Sequence, residues 1–299
     1  MKRPFALAAL VAAAVVASCA GPSAPTTSSA ASALATASPV ATPIGPSATP
    51  AATLARLSGA FEVGEGRKLY LECLGSGSPT ILLEAGDGES GPPHWRFVVP
   101  GLIGETRTCT YDRLGLGKST RASGCRQLED LLNDLDALLA AAALDGPYVL
   151  AAGSGGGFIM AGFAARHPEQ VAGMVFVDVP KALTAELYPE VLPRIACDAP
   201  GNVERRDYLA VEHAAWDNRA ELGDFPLVVI SNDYGDSVEP GTDEATNVED
   251  QRGWFDLSPD NATQVVVTSG HNIAANEPEL VIEQILAVLE TARASLAGA

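Results

Sequence analysis

Four short apolar runs constrain the fold of this chain more than any other feature. They are "TILLEAG" from Thr80, "YVLAAG" from Tyr148, "VAGMVFVDV" from Val171 and "PLVVIS" from Pro226. Each is the length of one strand and none alternates apolar with polar residues, so each needs cover on both faces. Between them lie stretches with helical periodicity, "QLEDLLNDLDALLAAAAL" from Gln127 and "GGFIMAGFAARHP" from Gly156. Strands alternating with helices in this way predict a mainly parallel sheet with helices on both faces. "SGAFEVG" and "RKLYLECLG", joined by the turn Gly64-Glu65-Gly66, add two strands at the front. "TRTCTYD" and "ATQVVVTSG" supply two more, and a terminal helix begins at about Pro278. An amphipathic stretch is expected from His94, and a loop-rich one after "PLVVIS". Residues 181–222, with scattered prolines and helical patches, interrupt the alternation and read as a small cap.

The first 55 residues do not belong to this pattern. Lys2 and Arg3 precede the apolar run "FALAALVAAAVVA", which is too short to span a bilayer comfortably and ends in small residues. That is the layout of an export signal. Val16-Ala17-Ser18-Cys19 resembles a bacterial lipobox, which makes residues 1–18 a lipoprotein signal peptide and Cys19 the lipidated residue. Residues 19–55 are built mainly from Ala, Ser, Thr, Pro and Gly and carry no charged side chain, so they are expected to form a disordered tether. The folded domain is then 56–299, held on the extracytoplasmic side of a bacterial envelope by its lipid anchor. The 37 acidic residues against 19 Lys and Arg leave a net charge of −18, which repels phosphate backbones and argues against nucleic acid as a partner. Cys73, Cys109, Cys125 and Cys197 remain after the lipobox; in an exported protein an even count suggests two disulfides, with three pairings open. Four histidines and no CxxC spacing give no support for a metal site.

Ala152-Gly153-Ser154-Gly155-Gly156 falls between a predicted strand and a predicted helix. This is the setting of a G-x-S-x-G nucleophile elbow, where a serine sits on a sharp turn and its neighbours two residues away must be small. Ser154 is therefore the candidate nucleophile. Its own following N–H, that of Gly155, lies at a helix N-terminus, where the helix dipole favours negative charge and an oxyanion could be stabilised. His271 follows a strand and comes after the serine in the chain, so it is the candidate general base. His167 closes a helix and His213 falls in the cap region. His94 is a candidate pocket residue beside Trp95 but lies too early in the chain to be the base.

From about residue 58 onward the chain resembles the α/β-hydrolases. The resemblance rests on the elbow, on "LLEAGDG", on "YDRLGLGKS" and on "SGHNIAANEPELV". It implies an eight-stranded sheet with a cap inserted after strand six, and a serine hydrolase that cleaves a small ester or amide with a Ser-His-Asp triad, without a cofactor, as a monomer. The resemblance places the acid either after strand seven, where Asp233 and Asp236 are available around Gly235, or at the end of strand six, where Asp178 stands; Asp178 is the single choice. It places the second oxyanion donor on the loop after "LLEAG", at Asp87, with Ala85-Gly86 where the family often has His-Gly. It makes Asp112 and Arg113 parts of a structural turn rather than of the chemistry. The implied strand order sets Cys73 beside Cys109, from which a Cys73–Cys109 and a Cys125–Cys197 pairing are expected. The departures at Ala85, Ala152 and the acid keep a second reading open, a catalytically silent, lipid-anchored ligand-binding protein.

Overall fold

The computed structural model describes residues 54–182, 192–235 and 243–298. The signal peptide, Cys19 and nearly all of the tether lie outside these residues. Ala55, assigned to the tether from sequence, already accepts a hydrogen bond from Gly75 N–H at 2.9 Å.

Eight strands form one sheet: β1 (Arg56–Glu62), β2 (Lys68–Leu74), β3 (Thr80–Glu84), β4 (Thr108–Asp112), β5 (Tyr148–Gly153), β6 (Val171–Val177), β7 (Leu227–Asn232) and β8 (Ala262–Val267). Their order is β1-β2-β4-β3-β5-β6-β7-β8. The pairings β1–β2 and β2–β4 are antiparallel and every other pairing is parallel. Every residue of β3, β4, β5 and β7 is buried, as expected for runs without alternation. With helices on both faces, this is the α/β-hydrolase fold.

The helices are α1 (Gly91–His94), α2 (Val99–Leu102), α3 (Leu128–Ala141), α4 (Gly156–Arg166), α5 (Leu192–Ile195), α6 (Tyr208–Trp216), α7 (Asp243–Asp250), α8 (Ile273–Asn276) and α9 (Pro278–Gly298). One apolar cluster joins the sheet to α3, α4 and α6, and contains the ring group Phe158, Phe176, Trp216 and Trp254. The other, under α2, α8 and α9, is built on Ile81, Leu83, Val149, Val175, Ile230 and Ile285. At roughly 25 cal/mol per Å² of apolar surface, such two-sided burial is the main force holding the sheet.

Two expectations need correction. The stretch expected to start at His94 begins earlier, because Pro92 and Pro93 suit the first turn of a helix and α1 ends at His94. The stretch after β7, read as loop, contains α7 and the 3₁₀ segment Gln251–Leu257; α7 is mostly acidic and polar, and the 3₁₀ segment buries Trp254 and Leu257. Between β6 and β7, α5 and α6 occupy the described part of the cap region. Cys73 pairs with Cys109 across β2 and β4, and Cys125 pairs with Cys197 in the cap region.

Candidate active site

β5 ends at Gly153 and α4 starts at Gly156, so Ser154 stands on the tightest turn between them, with φ +48°. That left-handed backbone is disfavoured for a residue with a Cβ and is held here by its surroundings. Ser154 N–H donates to Val177 O at 2.9 Å, and Ser154 O accepts from Gly157 N–H at 3.0 Å. The flanking glycines are required by close approach: a Cβ on Gly153 would come within 2.6 Å of His94 Nε2, and one on Gly155 would overlap the Asp87 carboxylate.

His271 follows β8 and reaches across to the serine. Its Nε2 lies 2.9 Å from Ser154 Oγ and its Nδ1 lies 2.7 Å from Asp178 Oδ2. Asp178 directly follows β6, at φ +49°, which turns its carboxylate toward the histidine. It is buried and well supplied with donors. Gln251 Nε2 and Asn247 Nδ2 donate to Oδ1 at 2.7 and 2.9 Å, Asn232 N–H at 3.3 Å, and Tyr234 Oη–H donates to Oδ2 at 3.1 Å. Burial on its own would raise the Asp178 carboxyl, but hydrogen bonds from His271, Asn247 and Gln251 outweigh it and hold the group below its ordinary value. His271 is raised, first by its hydrogen bond to Asp178, against a desolvation that lowers it, with the charges of Asp178, Glu89 and Asp87 adding to the rise.

Asp233 is elsewhere: its Oδ1 accepts from Gly235 N–H at 3.1 Å and from Thr268 Oγ1–H at 2.5 Å. Asp236 lies outside the described residues.

The loop after β3 faces the elbow. Of the two residues expected to give oxyanion donors, Gly155 has against it the Asp87 carboxylate. It is not left as a bare anion. Arg206, from the cap region and fully buried, forms an ion pair with Asp87 and donates to Gly155 O at 3.2 Å. Beneath the loop, Arg113 donates to Ala85 O and Gly86 O at 2.8 Å each and pairs with the buried Glu84 and Glu204. Glu204 in turn accepts from Gly88 N–H at 2.7 Å. Arg113 is thus structural, as the resemblance implied, and the strut it forms holds the loop that lacks the family's frequent histidine. Asp112 accepts from Gly91 N–H and Lys118 N–H at 3.1 and 2.9 Å, away from the serine.

Sequence reasoning missed Arg206, Glu204, Asn247 and Gln251 as parts of the site. Each is joined to its target across a long separation, 119 residues for Arg206 and Asp87, which no local spacing records.

Residues 79–207 match the family model described as the alpha/beta hydrolase fold. With the sheet order and the elbow, this supports a place in the α/β-hydrolase superfamily. Among curated relatives, the chain is 27% identical to the Bacillus subtilis protein YqjL over 226 residues, covering 69% of this chain and 82% of YqjL. It is 31% identical to a 2-hydroxymuconate semialdehyde hydrolase of a Pseudomonas species, over 38% of this chain and 41% of that one. Among solved structures, an esterase from Thermogutta terrifontis superposes with a TM-score of 0.59 at 20% identity, covering 80% of this chain and 99% of that one. A bromoperoxidase from Bacillus anthracis superposes with a TM-score of 0.61 at 17% identity, covering 78% and 100%.

Proposed function

We propose that this protein is a serine hydrolase that cleaves a carboxylic ester or an amide through an acyl-enzyme. The observation that carries the reading is the unbroken line from Ser154 Oγ through the His271 imidazole to the buried Asp178 carboxylate. In this reading Asp178 accepts a hydrogen bond from Nδ1–H, which leaves the Nε2 lone pair facing the serine hydroxyl. The serine proton passes to Nε2 as Oγ bonds to the substrate carbonyl carbon, and the N–H groups of Gly155 and Asp87 receive the negative charge that develops on the carbonyl oxygen. The imidazolium then returns the proton to the departing alkoxide or amine. Water repeats the sequence on the acyl-serine and releases the acid. Every step uses side chains and backbone of this chain.

The departures from the family pattern that favoured a silent binding protein have physical compensations. Ala152 is wholly buried in β5 beside the elbow, and the Ala85 carbonyl is gripped by Arg113. The hydrolases among the relatives and structural neighbours support a hydrolase in general terms. We also propose that Cys19 carries lipid and tethers the domain to the outer side of a bacterial membrane; labelling with radioactive palmitate should be lost in Cys19→Ser, and retained label would contradict it.

The chemistry is tested with chromogenic p-nitrophenyl esters of increasing acyl length. The wild type should release a burst of nitrophenol equal to the enzyme present, followed by slower turnover. Ser154→Ala should show neither, and an unchanged burst in that variant would overturn the assignment of the nucleophile.

A further inference from the structure

The cleft at Ser154 encloses about 300 Å³ and is lined on one wall by Asp87, Glu89 and His94 and on the other by His271, Asn272 and Ile273. Its charges are unbalanced in a way that the triad does not use. Asp87 is neutralised by Arg206. Glu89 has a different partner: His94 Nδ1–H donates to Glu89 Oε2, and the imidazole is only 7% exposed while the carboxylate is 47% exposed.

His94 meets Glu89 through Nδ1. Nε2 is buried against Gly153 and has no hydrogen-bond partner among the described residues. The ring thus serves Glu89 as a buried hydrogen-bond partner, and the carboxylate is the exposed member of the pair, lining the cleft. The hydrogen bond from His94 holds the Glu89 carboxyl below its ordinary value, against burial that would raise it.

The carboxylate is close to the reacting centre. Glu89 Oε2 and Ser154 Cβ come within 3.0 and 3.3 Å of one point, the place a Cβ on Gly86 would occupy. These two atoms are therefore no more than about 6.3 Å apart. No Lys or Arg lines the cleft among the described residues. The internal segments 183–191 ("LTAELYPEV") and 236–242 ("DSVEPGT") contain none in their sequences. The net charge of −18 sets the field of the whole molecule in the same sense.

We infer that the cleft selects substrates carrying a cationic nitrogen close to the scissile bond, with Glu89, oriented by His94, as the specificity-determining residue. This names a substrate class, an ammonium-bearing ester or amide, and it rests on the hydrolase reading above. Anionic substrates are disfavoured by the same charge.

The test uses 2-(trimethylammonio)ethyl acetate and its uncharged carbon isostere 3,3-dimethylbutyl acetate, which match in shape. A second pair carries the same two groups on the acyl side of a p-nitrophenyl ester. In at least one pair, wild-type kcat/KM should favour the cation at least tenfold, and the ratio should shrink as salt is added. In Glu89→Gln the ratio should fall towards one, whatever happens to the absolute rates. A ratio near one in the wild type for both pairs, or a ratio that Glu89→Gln leaves intact, overturns the inference. Calorimetric binding of the first pair to Ser154→Ala reads the preference without turnover. If the wild type cleaves no ester, the hydrolase reading fails separately, and tighter binding of the cation to Ser154→Ala, lost in the double variant with Glu89→Gln, still decides the question of charge selection.

Discussion

Two carboxylate–imidazole pairs flank Ser154, and they are built in opposite senses. In Asp178–His271 the acid is 1% exposed and the imidazole 54% exposed; in Glu89–His94 the imidazole is 7% exposed and the acid 47% exposed. The first pair buries its charge among Gln251, Asn247, Asn232 and Tyr234 and presents a base to the serine. The second buries the ring and presents the carboxylate to the cleft. The same two chemical groups thus yield a proton acceptor on one side and a fixed negative charge on the other. Which partner faces the cleft decides the role.

The comparison breaks most visibly at Asp178. Asp178→Asn should lower kcat by about 10⁴, because the amide no longer favours the tautomer with its Nε2 lone pair on the serine. Asp233→Asn should change kcat by no more than about threefold, since the Asp233 carboxylate bonds Gly235 and Thr268 rather than His271. Equal losses in the two variants would remove the distinction between the strand-six and strand-seven acids.

Next in size is the strut under the oxyanion loop. Arg113→Ala leaves Glu84 and Glu204 buried without their cation, and a loss of about 3–5 kcal/mol is expected in denaturant unfolding. A change below about 1 kcal/mol would show that the pair is not the anchor described above.

Gln251→Leu removes one donor from Asp178 while leaving the triad atoms in place. Its carboxyl should rise, and kcat should fall about tenfold, the scale of a lost charge-assisted hydrogen bond. The fall should grow as pH is lowered; a pH-independent loss would mark Gln251 as packing only.

The smallest effect is on the pH profile. The acid limb of kcat/KM reports His271 in the free enzyme. Because Asp178 and the cleft anions raise that imidazole, it stays protonated to higher pH, and the limb should lie above the ordinary histidine value of about 6.5. Glu89→Gln removes one negative charge near the ring, so the limb should move down. An upward or absent shift would place Glu89 too far from His271 to act on it.

The parts of this site that were legible from sequence are those set by local pattern. Unalternating apolar runs mark the buried strands, and a serine among glycines at a strand–helix junction marks the turn. His271 was legible from its position after the last strand. The acid was legible only as a choice between strand ends, with Asp178 preferred, because β6 and β7 both end near an aspartate; the backbone turn at Asp178 and donors from Asn247 and Gln251 are set by the fold. The roles of Glu89 and His94 depend on which of them is buried, and neither a loop nor a one-turn helix has a sequence period that shows it. Arg206 is a cap arginine like Arg205 until the fold brings it to Asp87.

The central claim is that Ser154 is an activated nucleophile, and reaction with a neutral fluorophosphonate tests it most directly. Intact-mass analysis of the wild type should show one adduct per chain, located on the Ser154 peptide, with labelling abolished in Ser154→Ala and strongly slowed in Asp178→Asn. A folded wild type that stays unlabelled, or one labelled at a different residue, would contradict the account.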